Sequence, residues 1–383
     1  MPIVLVISFT DLATDPRVNR QLRFLAGRYQ VVAAGLSSPS LEGVEYIPLD
    51  APPNGRLRNL RAAFCLGLRR FDAYYWQKSL IRQALVKLAD VRADVIVAND
   101  IVTLPLARRL AKGARILFDA HEYAPRETED RFFWKLFFDP LQTALCREHV
   151  PHVHAMTTVG QGIADAYHEL TGVRPTVLTN APDYHDLSPQ PYREGVRPIQ
   201  LVHHGIPYPS RRLENMIRMM DHLDGRFELN FLLIGGYPAY RRKLEAMARN
   251  RPVRFLPTVP MRSLPTYLNQ FDIGVFLLEP VNFSYQLALP NKLFEFIQAR
   301  LAVAIGPSPE MARVVREAGC GVIAADFQPA SLAACLSRLG ESEINALKAA
   351  SHAASARLSA QANEPIFLGL IASLARPSAA AAA

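Results

Sequence analysis

A chain of 383 residues is too long for one comfortable hydrophobic core, so two domains are expected. Half of it is hydrophobic and a fifth charged, as in a soluble globular protein, and no apolar run reaches the roughly 18 residues a spanning helix needs. The net charge of +8 asks for an anionic partner; without helix-turn-helix, zinc-ligand spacing or an aromatic RNA-binding pattern, nucleic acid is not expected.

Location is read from small signals. Cys65, Cys146, Cys320 and Cys335 are scattered and form no CxxC, so buried free thiols in a reducing compartment are expected. The opening MPIVLVISF lacks the basic start and the apolar length of a signal peptide, which points to the cytoplasm.

Residues 3–8 are a β-branched run ending in Thr10 and Asp11, the pattern of a buried parallel strand. Asp15 caps a helix that Pro16 starts and Leu25 ends. Strands follow at 30–35 and 44–49. The segment 51–71 then carries Arg56, Arg58, Arg61, Arg69 and Arg70 without an acid, interleaved with Leu57, Leu60, Phe64, Leu66 and Leu68. Such a basic amphipathic face (residues 56–70) suits an anionic membrane surface or a phosphate-bearing acceptor, and it equally describes a solvated helix with its leucines in the core. A long helix is expected at 74–89, a strand at 94–98 closing on Asn99 and Asp100, and a helix at 104–111. The strand at 115–118 runs into Asp119, Ala120, His121 and Glu122. RFFWKLFFDP at 131–140 is a hydrophobic rim for a membrane interface or acceptor groove, or else a buried helix. Strands at 156–159 and 176–179 finish this domain, 1–183.

Residues 184–198, rich in proline and polar side chains, read as the linker. The pattern restarts in a domain at 199–360, with strands at 199–203, 227–234 (ending in Gly235 and Gly236), 253–255, 273–277 and 302–305. Helices fall at 211–223, 240–248, 291–300 and 311–317. A last helix at 361–376 is expected to pack back on the first domain, and 377–383 is a tail. Strands alternating with helices, each strand ending in a polar cluster, define two doubly wound α/β domains with ligands at the carboxyl ends of the strands. No GxGxxG or GxxxxGK[ST] follows any strand, so the usual dinucleotide and triphosphate fingerprints are absent.

The stretch FSYQLALPNKLFEFIQAR, 283–300, reads as a loop at 284–289 followed by a helix with Pro290 in its first turn. At about 100° per residue, Asn291, Lys292 and Glu295 share a polar stripe opposite Leu293, Phe296 and Ile297. Free amides at a helix N-terminus, with Lys292 beside them, favour a phosphate. Glu295, one turn further in, can accept hydrogen bonds from a sugar diol. The same spacing also describes a surface Lys–Glu pair on an ordinary amphipathic helix.

In order, DPRVNRQ, ADVIVANDIVTLPLA, FDAHEYAPRE, TTVGQGIADAY, LVHHG…RRLENMI, FLLIGG, VRFLPTVP and SYQLALPNKLFEFIQARLAV resemble the retaining glycosyltransferases of family 4. The resemblance covers nearly the whole chain, and ALPNKLFE is its most specific piece. It implies a GT-B fold, that is, α/β with two Rossmann-like doubly wound parallel-sheet domains facing across a cleft. The first domain would take the acceptor and the second a nucleoside-diphosphate sugar. Glu295 matches the second glutamate of the family's E-x7-E, which holds the donor's ribose. Arg211 matches the basic residue on the diphosphate, with Lys292 assisting and the amides of Asn291 and Lys292 donating. Gly205 matches the glycine that lets backbone approach the donor. Gly236, Pro257, Ser284 and Leu289 complete the donor side. His121 falls on the acceptor side near the transferred sugar, with Asp15, Arg17 and Glu122. Leu287 stands where the first glutamate belongs and Ile206 where a second basic residue belongs; Glu279 could substitute from the preceding loop.

What the resemblance implies chemically is a metal-independent, cofactor-free transfer. No Asp-x-Asp pair follows a strand, so cations and a helix N-terminus would stabilise the leaving diphosphate. Glu295 is occupied with ribose, which favours front-face attack by the acceptor hydroxyl over a covalent intermediate. His121, Arg211 and Lys292 would carry the reaction. The acceptor would be a glycan or lipid-linked, as in bacterial surface polysaccharide synthesis, with the enzyme peripheral on the inner face of the cytoplasmic membrane. Two rivals are a GT-B sugar-nucleotide epimerase, which needs more carboxylates and histidines than this chain offers, and a non-catalytic basic binding protein, which Leu287 would permit.

Overall fold

The computed structural model describes residues 1–50, 56–127, 132 and 134–375, and only the backbone of 56–61. The chain divides into two units, Met1–Thr179 with Asn363–Ala383, and Asn180–Ala362.

In the first unit β1 (Ile3–Ile7), α1 (Pro16–Leu25), β2 (Gln30–Gly35), β3 (Val44–Pro48), α2 (Arg56–Gly67), α3 (Phe71–Trp76) and α4 (Ser79–Lys87) follow one another. Then come β4 (Val95–Asn99), α5 (Leu104–Leu110), β5 (Arg115–Ala120), α6 (Asp139–His149), β6 (Ala155–Thr158), α7 (Gln161–Thr171) and β7 (Thr176–Val177). The sheet order is β3-β2-β1-β4-β5-β6-β7, every pairing parallel, so the order reverses between β1 and β4. Alternate strand residues serve opposite faces. Val4, Val6, Val31, Val95, Val97 and Leu117 join Val18, Leu22 and Leu25 of α1 in one core. Phe367, Ile371 and Leu374 of the last helix, Ala360–Ala375, belong to that same core. Leu5, Ile7, Ile96, Ile116 and Phe118 are buried on the other face.

α1 begins as its sequence dictates: Asp15 accepts from the amides of Arg17 (3.0 Å) and Val18 (3.1 Å), and Pro16 fills the first helical position. The long helix expected at 74–89 is instead two, α3 and α4, because Lys78 turns extended between them. The aromatic-rich α3 is a poor helix former held by tertiary bonds, the Tyr75 hydroxyl donating to Val102 O (2.9 Å) and accepting from Leu106 N (3.2 Å). Trp134–Phe138 is a π-helical turn entering α6, with no buried side chain, so it is not a buried helix. The side chains of Arg56, Leu57, Arg58, Leu60 and Arg61, residues Arg131 and Phe133, and the tail 377–383 lie outside the described residues.

The second unit holds β8 (Ile199–Gly205), α8 (Glu214–Met219), β9 (Phe227–Leu233), α9 (Pro238–Ala248), β10 (Val253–Phe255), α10 (Leu264–Leu268), β11 (Ile273–Phe276) and α11 (Phe283–Gln286). It continues with α12 (Asn291–Gln298), β12 (Ala302–Ile305), α13 (Pro309–Ala318), β13 (Gly321–Ile323), α14 (Pro329–Leu336) and α15 (Glu341–Ser355). Its six parallel strands run β10-β9-β8-β11-β12-β13, reversing between β8 and β11. β13, α14 and α15 extend it beyond the elements legible in the sequence. Residues 184–198, expected as a linker, run inside this unit without regular secondary structure and turn at 194–196. The amide of Tyr184 donates to Gln361 (2.8 Å), that of His185 to Gln298 (3.1 Å) and that of Tyr192 to Asn345 (2.9 Å). Side-chain acceptors satisfy a segment that has no apolar period of its own.

Candidate functional site

In the second unit β8 and β11 end side by side where the strand order reverses, and β8 leaves through His203, His204 and Gly205. Gly205 has φ +124°, and a Cβ built on it would lie 3.3 Å from Lys292 Nζ and 3.9 Å from an Arg211 guanidinium nitrogen. The strand therefore ends against two cations, in a conformation that side chains avoid.

Lys292 lies in the first turn of α12 and is only 7% exposed. Its ammonium sits 4.1 Å from the centroid of the Phe276 ring and has no hydrogen-bond partner among the described residues. Burial, and after it the charge of Arg211, push its pKa well below the usual lysine value, against the pull of Glu295. A buried ammonium without an acceptor marks a place where an anion is missing. Arg211, partly exposed, donates to Ile206 O (3.1 Å) and lies 5.1 Å from the Tyr208 ring. The N-cap of α12 is Pro290, one place earlier than expected, and it provides no side-chain cap. The first amides of the helix are left to a ligand.

The polar stripe of this helix is not a surface pair, since Glu295 is also buried, 4% exposed. His204 Nε2 lies 3.2 Å from Glu295 Oε2, close but not aligned as a hydrogen bond. Burial, with Lys292 behind it, pushes the His204 pKa down to about 3, so the imidazole facing the carboxylate is neutral. Its ring meets Phe296 edge-on at 5.4 Å. His204 was not foreseen; the signal was a pair of histidines directly before the strand-end glycine.

The other expected donor-side residues scatter in role. Glu279, expected to stand in for the carboxylate missing at Leu287, accepts from Arg212 on one oxygen and from Asn215 on the other. Leu289 is buried in the core around α12 and offers only backbone. Ser284 lies in α11, a helical turn where a loop was expected, begun by the Asn282 side chain accepting from Tyr285 N (2.8 Å). The Tyr285 hydroxyl is 2.9 Å from Ser210 Oγ, which ties this turn to the one carrying Arg211. Gly236, with φ +81°, is exposed after β9 and packs so closely on Pro207 that a Cβ would lie 2.8 Å from its ring. Pro257 is exposed beyond β10, and Ile206 is 37% exposed beside Arg211.

The first unit gathers its own polar cluster at the ends of β4 and β5. Arg17, expected on the acceptor side, instead closes on the buried Asp119 with Nε at 2.6 Å and Nη2 at 2.5 Å, and Nη1 donates to Leu178 O (2.8 Å). Gln21 (2.5 Å) and Thr157 (2.6 Å) also donate to Asp119, whose carboxyl stays well below the usual range: burial opposes its charge but Arg17 outweighs it. Asp15 caps α1 and accepts from Thr10 (2.9 Å). His121 Nε2 lies 3.1 Å from Asn99 Oδ1 and 3.3 Å from Asp119 Oδ2, and Nδ1 lies 3.4 Å from Asp100 Oδ2. Burial opposes its charge, yet Asp100 and Asp119 hold its pKa up at about 9. Glu122 is exposed at the edge of this cluster, and the protein packed around it, then the charges of Glu127 and Asp100, raise its pKa. Asn99, Asp100 and Asp119 were visible as strand-end polar residues, but nothing local showed that they would surround His121. Among the described residues no group of three or more His, Cys, Asp and Glu side chains is arranged to hold a metal ion.

Two doubly wound parallel-sheet units, each with a polar site at its strand ends, make this a GT-B-fold protein. Residues 199–342, which contain the whole cationic site, match the model of the family described as glycosyl transferases group 1. Among solved structures, HepE from Anabaena in complex with UDP and glucose has a TM-score of 0.70 at 13% identity, covering 97% of this chain and 100% of its own. The sucrose-phosphate synthase of Thermosynechococcus elongatus has a TM-score of 0.72 at 14% identity, with 98% and 99% covered. The α,α-trehalose 6-phosphate synthase of Burkholderia multivorans has 0.66 at 13% identity, with 98% and 97% covered. Identities this low carry the fold alone. No curated protein matches the chain in sequence.

Proposed function

We propose that the protein is a retaining glycosyltransferase, similar to those of family 4, that moves a sugar from a nucleoside-diphosphate sugar to a hydroxyl of a glycan or lipid-linked acceptor. The resemblance supports bacterial surface polysaccharide synthesis as its process. The observation that carries the reading is the buried, unpartnered ammonium of Lys292 beside Gly205 and Arg211, at the uncapped start of α12. A diphosphate there gains two cations and free helix amides, and a sugar-nucleotide is the diphosphate that a glycosyl transferases group 1 unit would bind. HepE was solved with UDP, which makes UDP the first probe. Glu295, with neutral His204 3.2 Å from one oxygen, supplies the carboxylate for the ribose hydroxyls.

In the reaction the bond from the anomeric carbon to the β-phosphate oxygen breaks and its electron pair stays on that oxygen. Arg211, Lys292 and the α12 amides are aimed where this charge grows, which is the stabilisation a metal ion would otherwise give. The acceptor oxygen then bonds the anomeric carbon from the face the phosphate leaves. Its proton passes to the leaving phosphate, so configuration is kept without an enzyme nucleophile. His121, held cationic, serves on the acceptor side, and Asp15, Glu122 and the Arg17–Asp119 pair hold its surroundings.

Calorimetric titration of UDP into the full chain tests the donor site. Arg211→Ala and Glu295→Ala should each weaken binding by about tenfold or more, the loss of one charge-assisted contact. Binding that neither substitution changes places the nucleotide elsewhere and defeats the assignment.

A further inference from the structure

The C-terminal end of α2 serves neither strand-end site. There Arg69 adopts φ +53°, a left-handed conformation that glycine usually supplies after a helix, and Arg70 N reaches back to Cys65 O at 2.8 Å. Both arginines are exposed, and neither guanidinium has a hydrogen-bond or ion-pair partner among the described residues. Arg69 and Phe71 form the wall between two adjoining hollows. One, of about 180 Å³, is bounded by Leu66, Leu136, Phe137 and Pro140. The other, of about 460 Å³, is lined by Tyr75, Pro105, Leu145 and His149, with Asp72 and Glu148 as its acids. The basic stretch and the aromatic stretch of the sequence thus meet in one surface, and the Tyr74 and Phe138 rings, 6.3 Å apart, join them. Phe64 (63% exposed) and Leu68 (56%) lie one turn apart at the end of α2 next to these arginines, and Leu136 (52%) and exposed Lys135 lie on the neighbouring π-helical turn.

We propose that this surface docks the protein on an anionic phospholipid bilayer, with Arg69, Arg70 and Lys135 at the phosphates and Phe64, Leu68 and Leu136 in the interfacial layer. Apolar tips that project beside unpaired arginines suit a deformable boundary that is both anionic and apolar. A second copy of the chain is the poorer occupant, since a two-fold contact would set these arginines against themselves. The attachment is peripheral, because no described helix is long and apolar enough to cross a membrane. It rests on the first unit alone and is independent of the donor site.

Flotation of the full chain with phosphatidylglycerol–phosphatidylcholine vesicles, against pure phosphatidylcholine, tests this at physiological salt. The protein should float with the anionic vesicles only. Arg69→Gly with Arg70→Ala should lower the partition about thirtyfold, two lost cations at the surface, and glycine fits the backbone at residue 69 without strain. Phe64→Ser with Leu68→Ser should lower it on the same vesicles. Arg193→Ala with Arg249→Ala, an equal charge loss in the second unit, should change it by less than about twofold. A wild-type protein that stays in the soluble fraction overturns the proposal, as does an equal loss in the control pair, which would make bulk charge the cause. A dimer in solution that the Phe64/Leu68 variant dissolves would give the surface to a second copy and overturn it as well.

Discussion

Lys292→Met separates the folding role of this side chain from its ligand role, because the two effects have opposite signs. In the free protein the ammonium is buried without an acceptor and only the Phe276 ring, 4.1 Å away, faces it. An unsatisfied buried polar group costs about 1–3 kcal/mol, and a cation–π contact returns about 0.5–2 kcal/mol of it. Methionine keeps the stem's volume and removes the charge, so the free protein should gain roughly 1 kcal/mol and melt about 2–4 °C higher. With UDP bound the balance reverses. A charge-assisted bond to phosphate contributes about 1.5–3 kcal/mol, so the variant should bind UDP about 10- to 100-fold more weakly by isothermal calorimetry. Because burial and Arg211 depress the lysine pKa, an arriving diphosphate should raise it and draw in a proton. The wild-type binding enthalpy should therefore depend on the ionisation enthalpy of the buffer, and that dependence should vanish in the variant. Unchanged UDP affinity, or weaker binding with no gain in melting temperature, would refute the reasoning.

Two further outcomes concern His121 and His204. His121 has its pKa raised to about 9, so its contribution to stability is complete below about pH 6.5 and is lost as pH rises towards 9. Denaturant unfolding across that window should show a fall of up to about 3 kcal/mol that His121→Gln abolishes; an equal fall in the variant assigns it to other groups. His204 is the reverse case, pushed down to about 3, so its contribution is present above about pH 6.5 and is lost as pH falls towards 3. His204→Phe keeps the edge contact with Phe296, should flatten this acid slope of up to about 5 kcal/mol, and should raise the donor KM several-fold through Glu295 while leaving kcat nearly unchanged. A kcat loss with unaltered KM would place His204 in another role.

Much of the architecture was legible because it is periodic. β-branched runs closing on polar residues marked most strands, and Asp15 before Pro16 marked the start of α1 to the residue. The failures fall where long-range contacts overrule local pattern. Residues 74–89 break into two helices where Lys78 turns extended, and the Tyr75 hydroxyl is held by Val102 and Leu106 at the start of α5. Residues 184–198 look like free linker because their hydrogen-bond partners, Gln298, Asn345 and Gln361, lie far along the chain. In the site, helical spacing brought Asn291, Lys292 and Glu295 onto one stripe, but it was silent on His204, on Arg212 and Asn215 occupying Glu279, and on Asp119 consuming Arg17.

The sequence by itself determined two doubly wound units, strand ends as the places for ligands, and a lysine and a glutamate one turn apart at the head of a helix. Only the tertiary structure decided that this lysine is buried without an acceptor and that the glutamate faces a neutral histidine. Spacing along a helix sets which side chains share a face, whereas burial and charge depend on what packs against that face, and here Gly205 and Phe276 are brought to it from other strands.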